Sequence, residues 1–184
     1  MLLFVGLGNP GKRYEMTRHN VGFMILDAVA RRFGFPEFCC KHNADVSIGD
    51  LESHRVVLLK PLSYMNNSGD PVQRAVSLYK MSLDSITVFH DDTELRQGVI
   101  RVKRGGGSGG HNGIRSIDAA IGKDYLRVRF GVGRSDGCNM SDYVLSDFTN
   151  PAAVHEAIAN IAENIPMLLN GDAAEFISKV SVPF

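Results

Sequence analysis

Four polar clusters in this 184-residue sequence combine histidine, aspartate and asparagine in a way that suits hydrolysis of an ester: residues 9–19, 64–68, 90–92 and 105–112. Histidine is a base near neutral pH, and a carboxylate can hold its ring in one tautomer and stabilise its charged form. Uncharged amide donors can stabilise the oxyanion that develops when water attacks the ester. His19 and Asp91, with the amides of Asn9, Asn66 and Asn112, supply these groups without a serine or a metal. The residue types alone also allow these side chains to have no catalytic role. Asparagine is common in glycine-rich turns, and a histidine before a helix is usually at the surface.

A serine hydrolase is the second hypothesis, because Gly106-Gly107-Ser108-Gly109-Gly110 matches the pattern G-x-S-x-G. Ser108 would be the nucleophile, and a later histidine and aspartate would complete a triad. A run of small residues predicts a pliant loop rather than the strained turn that such a serine needs. The candidates for the other two members of the triad are His155 with Asp136, Asp142 or Asp147.

Cofactor motifs are poorly matched. Residues 6–11 fit the dinucleotide pattern G-x-G-x-x-G, but Pro10 and a polar stretch separate them from the next helix. The histidines lack the common zinc spacings, and His90, Asp91 and His111 are the group that could gather around zinc. We therefore expect no cofactor and no resident metal.

The elements that must position these side chains alternate between strands and helices. Apolar runs predict strands and periodic apolar stripes predict helices. This alternation predicts an α/β sandwich. A hairpin predicted over residues 44–60 makes the sheet mixed. Chemistry in such folds gathers beyond the carboxyl ends of the strands, where the polar clusters fall. The predicted strands are 2–5, 44–49, 55–60, 86–89, 99–103 and 126–132, and the predicted helices are 21–33, from 71, 114–121, from 151 and 172–179.

Two helix features carry specific expectations. Asn20 is expected to cap the helix that begins at Val21, so that His19 lies just outside a helix N-terminus. The helix dipole would then favour the neutral imidazole that a base requires. Pro166 is expected to kink or split the long helix that begins at Pro151.

Charge and composition restrict the class of protein. The net charge is zero, but residues 96–134 hold nine basic residues against two acidic ones. These basic residues either lie on different solvent-exposed faces or form a patch that binds a polyanion. There is no signal segment and no apolar run near about 18 residues, so we expect neither secretion nor a membrane span. Cys39, Cys40 and Cys138 form no C-x-x-C pair, and we expect reduced thiols in the cytoplasm.

Several stretches together resemble the bacterial peptidyl-tRNA hydrolase family, in order and over nearly the whole chain. The resemblance implies one domain over residues 1–184, a three-layer α/β sandwich with a mixed twisted β-sheet flanked by helices. It implies a monomeric, metal-independent, cytoplasmic esterase that cuts the ester between a peptide and the 3′-terminal ribose of tRNA. The stretches are Leu7–Gly11, Tyr14, Thr17–Gly22, Tyr64–Gly69, His90–Asp92 and Gly105–Gly113.

The resemblance also implies a role for each matching residue. His19 matches the general base, Asp91 the carboxylate that orients it, and Asn9 a residue that positions substrate and water. The substrate-binding matches are Tyr14 beside the terminal nucleotide, Met65, Asn66 and Asn112 near the peptide and its ester, and Arg101, Lys103 and Arg129 toward tRNA phosphate.

A third hypothesis is a non-catalytic RNA-binding module that uses residues 96–134. Such a module would bind tRNA with or without the peptide. The sequence has five tyrosines and no tryptophan, so it offers few aromatic platforms for stacking on single strands.

Overall fold

The computed structural model describes residues 1–134, 137 and 139–181, so Asp136 and Cys138 lie outside the described residues. This part of the chain forms seven strands in one sheet and six α-helices. The strands are β1 (Leu2–Gly6), β2 (Cys39–Lys41), β3 (Ala44–Leu51), β4 (His54–Pro61), β5 (Ile86–Asp92), β6 (Ile100–Arg104) and β7 (Leu126–Gly131). The helices are α1 (Val21–Arg32), α2 (Gly69–Tyr79), α3 (Asn112–Ile121), α4 (Met140–Val144), α5 (Pro151–Leu169) and α6 (Ala173–Val180).

The sheet is mixed, with strand order β2-β3-β4-β1-β5-β7-β6. β1 lies parallel to both β4 and β5, and β5 lies parallel to β7. The pairs β2–β3, β3–β4 and β6–β7 are antiparallel. Because β4, β1 and β5 are parallel neighbours, their carboxyl ends meet at one edge of the sheet, where binding sites of α/β folds form.

Helices cover both faces of the sheet. Side chains alternate along a strand, so Phe4 of β1 joins a core with α1, α5 and α6, whereas Leu3 and Val5 join a second core with α2 and α3. The predicted α/β sandwich of three layers around a mixed sheet is confirmed. No helix within the described ranges is long and apolar enough to cross a membrane.

Two glycines allow α1 to approach the sheet closely. A Cβ on Gly6 would lie 2.3 Å from the carbonyl oxygen of Gly22, and a Cβ on Gly22 would lie 2.4 Å from the carbonyl oxygen of Phe89. The first glycine of the dinucleotide-like motif therefore serves helix packing. The close approach brings the start of α1, and the residues just before it, to the carboxyl ends of β1 and β5.

Several boundaries differ from the expected ones. α2 begins at Gly69, before Pro71, because proline is tolerated in the first turn of a helix. α5 continues through Pro166, so the expected split is wrong; its buried face, including Ile158, Ile161 and Ile165, packs along its length. β2 and α4 were not predicted, because three and five residues are too few for a periodic pattern.

Candidate active site

The centre of the site is the buried carboxylate of Asp91 at the carboxyl end of β5. Its Oδ1 lies 2.8 Å from Nδ1 of His19 and 2.8 Å from Nε2 of His111. The two imidazole rings lie 4.9 Å apart between centroids. The pair of His19 with Asp91 matches the predicted geometry, whereas the contact from His111 was not predicted.

His19 lies in a 3-10 turn, Arg18–Asn20, that leads directly into α1. The Arg18 guanidinium is buried and donates to the backbone carbonyls of Ser146 and Asp147, and it lies 4.3 Å from the centroid of the Tyr143 ring. The Arg18 N–H also donates to the carbonyl of Ser146. The residue before His19 therefore fastens this turn to the segment that contains α4.

The Asn20 side chain does not cap α1, so that expectation is wrong. Its Oδ1 accepts a hydrogen bond from the N–H of Asn9 at 2.9 Å, and its Nδ2 donates to the carbonyl of Asn9 at 2.9 Å. An amide that pairs with both backbone groups of one residue fixes the position of that residue. Asn20 therefore holds Asn9 beside the turn that carries His19.

Asn9 in turn connects to the loop after β4. Its Oδ1 accepts a hydrogen bond from the N–H of Met65 at 2.9 Å, which leaves its Nδ2 as a donor available to the cavity. Met65 is buried, and its sulfur would lie 2.5 Å from a Cβ placed on Gly113. The loops after β1 and β4 and the start of α3 therefore support one another.

The hydrogen bonds assign the protons on both histidines. Nδ1 of His111 accepts from the N–H groups of Gly113 and Ile114 at 3.1 and 3.3 Å, so the proton of this ring is on Nε2, which donates to Asp91. His19 donates from Nδ1 to the same carboxylate, so its Nε2 carries the lone pair that faces away from Asp91. His19 is thus arranged as a base.

Burial and charge act in opposite directions on these groups. Burial lowers the pKa of His19, but the charge of Asp91 and the hydrogen bond to it outweigh burial, so the pKa is raised above 6.5. Asp91 therefore shifts the pKa of His19 in the direction opposite to the one expected from the helix dipole. Burial raises the pKa of Asp91, but His19 and His111 hold that pKa well below its ordinary value, and the carboxylate stays charged.

His90 is a third histidine near the carboxylate. Burial and the neighbouring His111 lower its pKa to about 3, so the ring is neutral. Its Nδ1 donates to the backbone carbonyl of Asp91 at 2.7 Å, and its ring lies 5.0 Å from that of His111. His90 therefore packs beneath the site and supports the end of β5.

A metal could be considered, because His19, Asp91 and His111 bring three ligand atoms within 4.8 Å of one another. The sequence suggested His90, Asp91 and His111 as possible zinc ligands, whereas the structure groups His19, rather than His90, with the other two. A histidine nitrogen must lose its proton to bind a metal. The helix-capping bonds of His111 keep the proton on the nitrogen that faces Asp91, so the arrangement suits proton transfer better than metal binding.

A cavity of about 590 Å³ opens over these groups. His19, Asp91, Asn9 and Met65 line it, and the exposed side chains of Asn66 and Asn112 lie at its wall. Residues that the sequence reasoning did not assign also line it. They include Tyr64, which is 55% exposed with a φ of 58°, the pair Glu94 and Arg134, and Met140, Ser141, Val144 and Leu145 in and beside α4.

The remaining expected residues lie outside the cavity. Tyr14 is half-buried in the 3-10 turn Lys12–Tyr14, with the Arg13 guanidinium over its ring. Arg101 and Lys103 are on the edge strand β6, and Arg101 is in register with Arg129 of β7. Nε of Arg129 lies 2.6 Å from Oδ2 of Asp92, so this arginine already has an acidic partner.

The basic segment is only partly a solvent face. Arg127 is buried, and it donates to Asp118 at 2.8 Å and to the carbonyls of Gly107 and Gly106 at 3.0 and 3.3 Å. Including Arg127 in a phosphate-binding face is therefore wrong. Arg104, Arg129 and Arg134 also form ion pairs. The basic residues of the segment without an ion pair to any described residue are Arg96, Arg101, Lys103, Arg115 and Lys123.

The triad of the serine hypothesis is not assembled. Ser108 lines the cavity, but His155 is exposed on α5 and lines a different pocket. Across the described ranges, no hydrogen bond joins the Ser108 hydroxyl to a histidine. Asp142 and Asp136 remain as acidic candidates, of which Asp136 lies outside the described residues, and Asp147 faces Arg18 and Thr17 through its backbone.

The chain is similar to known proteins over almost its whole length. A family model described as peptidyl-tRNA hydrolase matches residues 3–183. A peptidyl-tRNA hydrolase of Anaplasma phagocytophilum is 66% identical over 98% of this chain and 99% of its own length. One of Ehrlichia ruminantium is 54% identical over 97% of this chain and 93% of its own length.

The fold agrees as well. A crystal structure of peptidyl-tRNA hydrolase from Acinetobacter baumannii superposes with a TM-score of 0.91 at 35% identity, covering 99% of this chain and 95% of that chain. The family match spans almost the whole sequence, and the relatives are similar over almost their whole length. The chain belongs to the peptidyl-tRNA hydrolase family.

Proposed function

We propose that this chain, an enzyme of the peptidyl-tRNA hydrolase family, cuts the ester between a peptide and the 3′-terminal ribose of tRNA with His19 as its general base. The observation that carries this mechanism is the geometry around Asp91. Nδ1 of His19 donates to a buried carboxylate at 2.8 Å, which leaves Nε2 to accept a proton. Family membership supports the reaction, and the hydrogen bonds support the roles.

The reaction proceeds by direct attack of water. Nε2 of His19 takes a proton from the water as its oxygen bonds to the ester carbon, and the carbonyl becomes an oxyanion. The C–O bond to the ribose then breaks, and the ribose oxygen takes the proton from the imidazolium. Asp91 stabilises the imidazolium between these two transfers, as the carboxylate of a triad does.

Amide groups supply the uncharged donors. Nδ2 of Asn9 is available because its Oδ1 is engaged by Met65. Asn66 and Asn112 present exposed amides to the same cavity, and Asn112 is the first residue of α3. We assign Asn9 and Asn112 to the attacking water and the ester, and Asn66 with Met65 to the peptide. Donors at these positions favour the charge that develops in the transition state.

The tRNA is proposed to lie across the face formed by β6 and β7. Arg101 and Lys103 belong to the same face of the edge strand β6, and neither forms an ion pair with a described residue. Arg129 is the weaker candidate because Asp92 already contacts it, and Tyr14 is proposed for the terminal nucleotide. Phosphate contacts of this kind set affinity and its dependence on salt.

The enzyme is further proposed to act as a monomer in the cytoplasm, with residues 1–184 as one domain and no cofactor. All the residues of the proposed mechanism come from one chain and surround one edge of one sheet. The exposed thiols of Cys39 and Cys40 are free, which is typical of a reducing compartment. Sedimentation of the purified enzyme tests whether it is a monomer. Its activity in EDTA tests whether it needs a metal.

The experiment that tests the mechanism compares two variants on a defined N-blocked peptidyl-tRNA. We expect His19→Ala to lose at least about 10³-fold in kcat, because a positioned base and the acid that follows it are both removed. Ser108→Ala is the control and should stay within a few-fold of wild type. Loss of activity only in Ser108→Ala would overturn the proposal in favour of the serine esterase. A chain that binds tRNA and hydrolyses no peptidyl-tRNA would instead be the RNA-binding module.

A further inference from the structure

We propose that His111 is a positioning residue for this hydrolysis, which shares one oxygen of Asp91 with His19 and so limits how strongly the carboxylate holds the protonated form of the base. The inference rests on the proposed role of His19. The supporting observation is that both imidazoles lie 2.8 Å from the same Oδ1. One carboxylate oxygen can accept two hydrogen bonds, so both rings draw on the same negative charge.

The proton positions make His111 a fixed donor. Its Nδ1 accepts the N–H groups of Gly113 and Ile114, which caps α3 and keeps the remaining proton on Nε2. The ring therefore cannot turn to present a lone pair to Asp91 without breaking the cap of the helix. His111 is also largely buried, with a side chain only 7% exposed, so water does not easily replace it.

The energetic consequence follows from competition for one negative charge. Hydrogen bonds to a carboxylate stabilise its charged form and reduce its pull on a neighbouring cation. With His111 in place, the Asp91 carboxylate stabilises the imidazolium form of His19 less strongly. Without that donor, the carboxylate should favour imidazolium more, and His19 should hold its proton to a higher pH. The enzyme would then have less active base at neutral pH.

Other groups near His19 do not account for such a shift. Asp91 and His111 contact its ring, and His90 and Asp92 flank Asp91 on the same strand. The charge of Arg18 is directed to backbone carbonyls beside α4, where Tyr143 and Asp142 are the nearest titratable side chains in the sequence. Glu94 and Arg134 pair with each other at the cavity wall. All of these residues except His111 are unchanged in the variants at position 111.

The test separates the two roles of the His111 ring, which caps α3 through Nδ1 and donates to Asp91 through Nε2. Asparagine is a strong helix cap and its oxygen can take the place of Nδ1, but its side chain is too short to reach Asp91 as Nε2 does. His111→Asn should therefore keep the cap and lose the donor, whereas His111→Ala loses both. The measurements are the pH profile of kcat/KM and an NMR titration of the His19 ring in wild type and both variants.

We expect the ascending limb of kcat/KM and the midpoint of the His19 titration to move up by about half to one pH unit in both variants. Only His111→Ala should also show a clearly lower melting temperature. A limb and a titration that stay in place or move down in His111→Asn would overturn the proposal, since a purely structural role lowers kcat without moving either midpoint. His19→Ala distinguishes failure of the proposed base from failure of the proposed role of His111. If His19→Ala remains active, the proposed base is wrong. If His19→Ala is inactive while His111→Asn leaves both midpoints unmoved, only the role of His111 is wrong.

Discussion

The proposed catalytic cluster around Asp91 and the basic face on β6 and β7 are built in opposite ways. In the cluster, hydrogen bonds of 2.8 to 3.3 Å hold the side chains of Asn9, Asn20, His19 and His111 in place. On the basic face, Arg101 is exposed and Lys103 is half-buried, and neither forms an ion pair with a described residue. Buried networks fix geometry, whereas exposed charges act through a field that salt screens.

Two arginines of β7 mark the boundary between these regions. Arg127 and Arg129 point to the same face of the sheet, two residues apart. Arg127 lies under α3 and the glycine-rich loop, where it holds Asp118 and the carbonyls of that loop. Arg129 lies beyond this cover and pairs with Asp92 at the cavity. The difference shows that burial, rather than residue type, separates an arginine that builds the site from one that can meet a phosphate.

The largest effect is expected in the cluster, for Asp91→Asn. Both histidines use one oxygen of Asp91, so an amide oxygen can keep both hydrogen bonds while the charge is lost. We expect kcat to fall by about 10²- to 10⁴-fold, because the imidazolium is no longer stabilised. The affinity for a non-hydrolysable peptidyl-tRNA analogue should change little. Equal losses of kcat and affinity would show that Asp91 holds the substrate or the fold instead.

The next effect is expected at the boundary, for Arg127→Met. This change leaves Asp118 buried without its cation and removes the donor to the loop carbonyls. We expect the free energy of unfolding to fall by about 3–5 kcal/mol in a denaturant titration. Arg129→Met is the matched control and should lose clearly less, because the Arg129 and Asp92 side chains remain 22% and 13% exposed and water can reach the carboxylate when the arginine is removed. Similar losses in the two variants would contradict the contrast between them.

The smallest effect is expected on the basic face, for the double change Arg101→Ala and Lys103→Ala. We expect tRNA affinity to fall several-fold, and the slope of log affinity against log salt to become shallower by about one unit for each phosphate that the variant no longer binds. The kcat should not change. Lys41→Ala, at the opposite edge of the sheet, is the control. An unchanged salt slope in the double variant would place the tRNA elsewhere.

The sequence predicts the elements that periodic patterns specify. β1, β5, the hairpin of β3 and β4, and α1 were expected because their apolar residues recur at the spacing of strands and helices. The contact of His19 with Asp91 could be predicted from the chemistry that such a pair performs. Two short elements, β2 and α4, carry no such pattern, although α4 contributes to the wall of the cavity.

Other features depend on partners that a local pattern does not show. Asn20 stands where a helix cap is expected, but its amide pairs with the backbone of Asn9, eleven residues earlier. The hydrogen bond from His111 to Asp91 was missed because the three hydrogen bonds of this ring join the start of α3 to a carboxylate on β5. Arg127 alternates with buried Val128 as a solvent-facing residue would. Only the packing of α3 and the glycine-rich loop over that face buries it.

The most direct test of the account is the pH dependence of kcat/KM for wild-type enzyme on a defined peptidyl-tRNA. His19 acts as a base only when neutral, and Asp91 raises its pKa above 6.5. We therefore expect kcat/KM to rise with pH through a single group whose midpoint lies above 6.5, and to reach a plateau once His19 is neutral. The midpoint should move to lower pH in Asp91→Asn. A rate that does not change between about pH 6 and 9, or a midpoint that Asp91→Asn does not move, would contradict the assignment of His19 as the base.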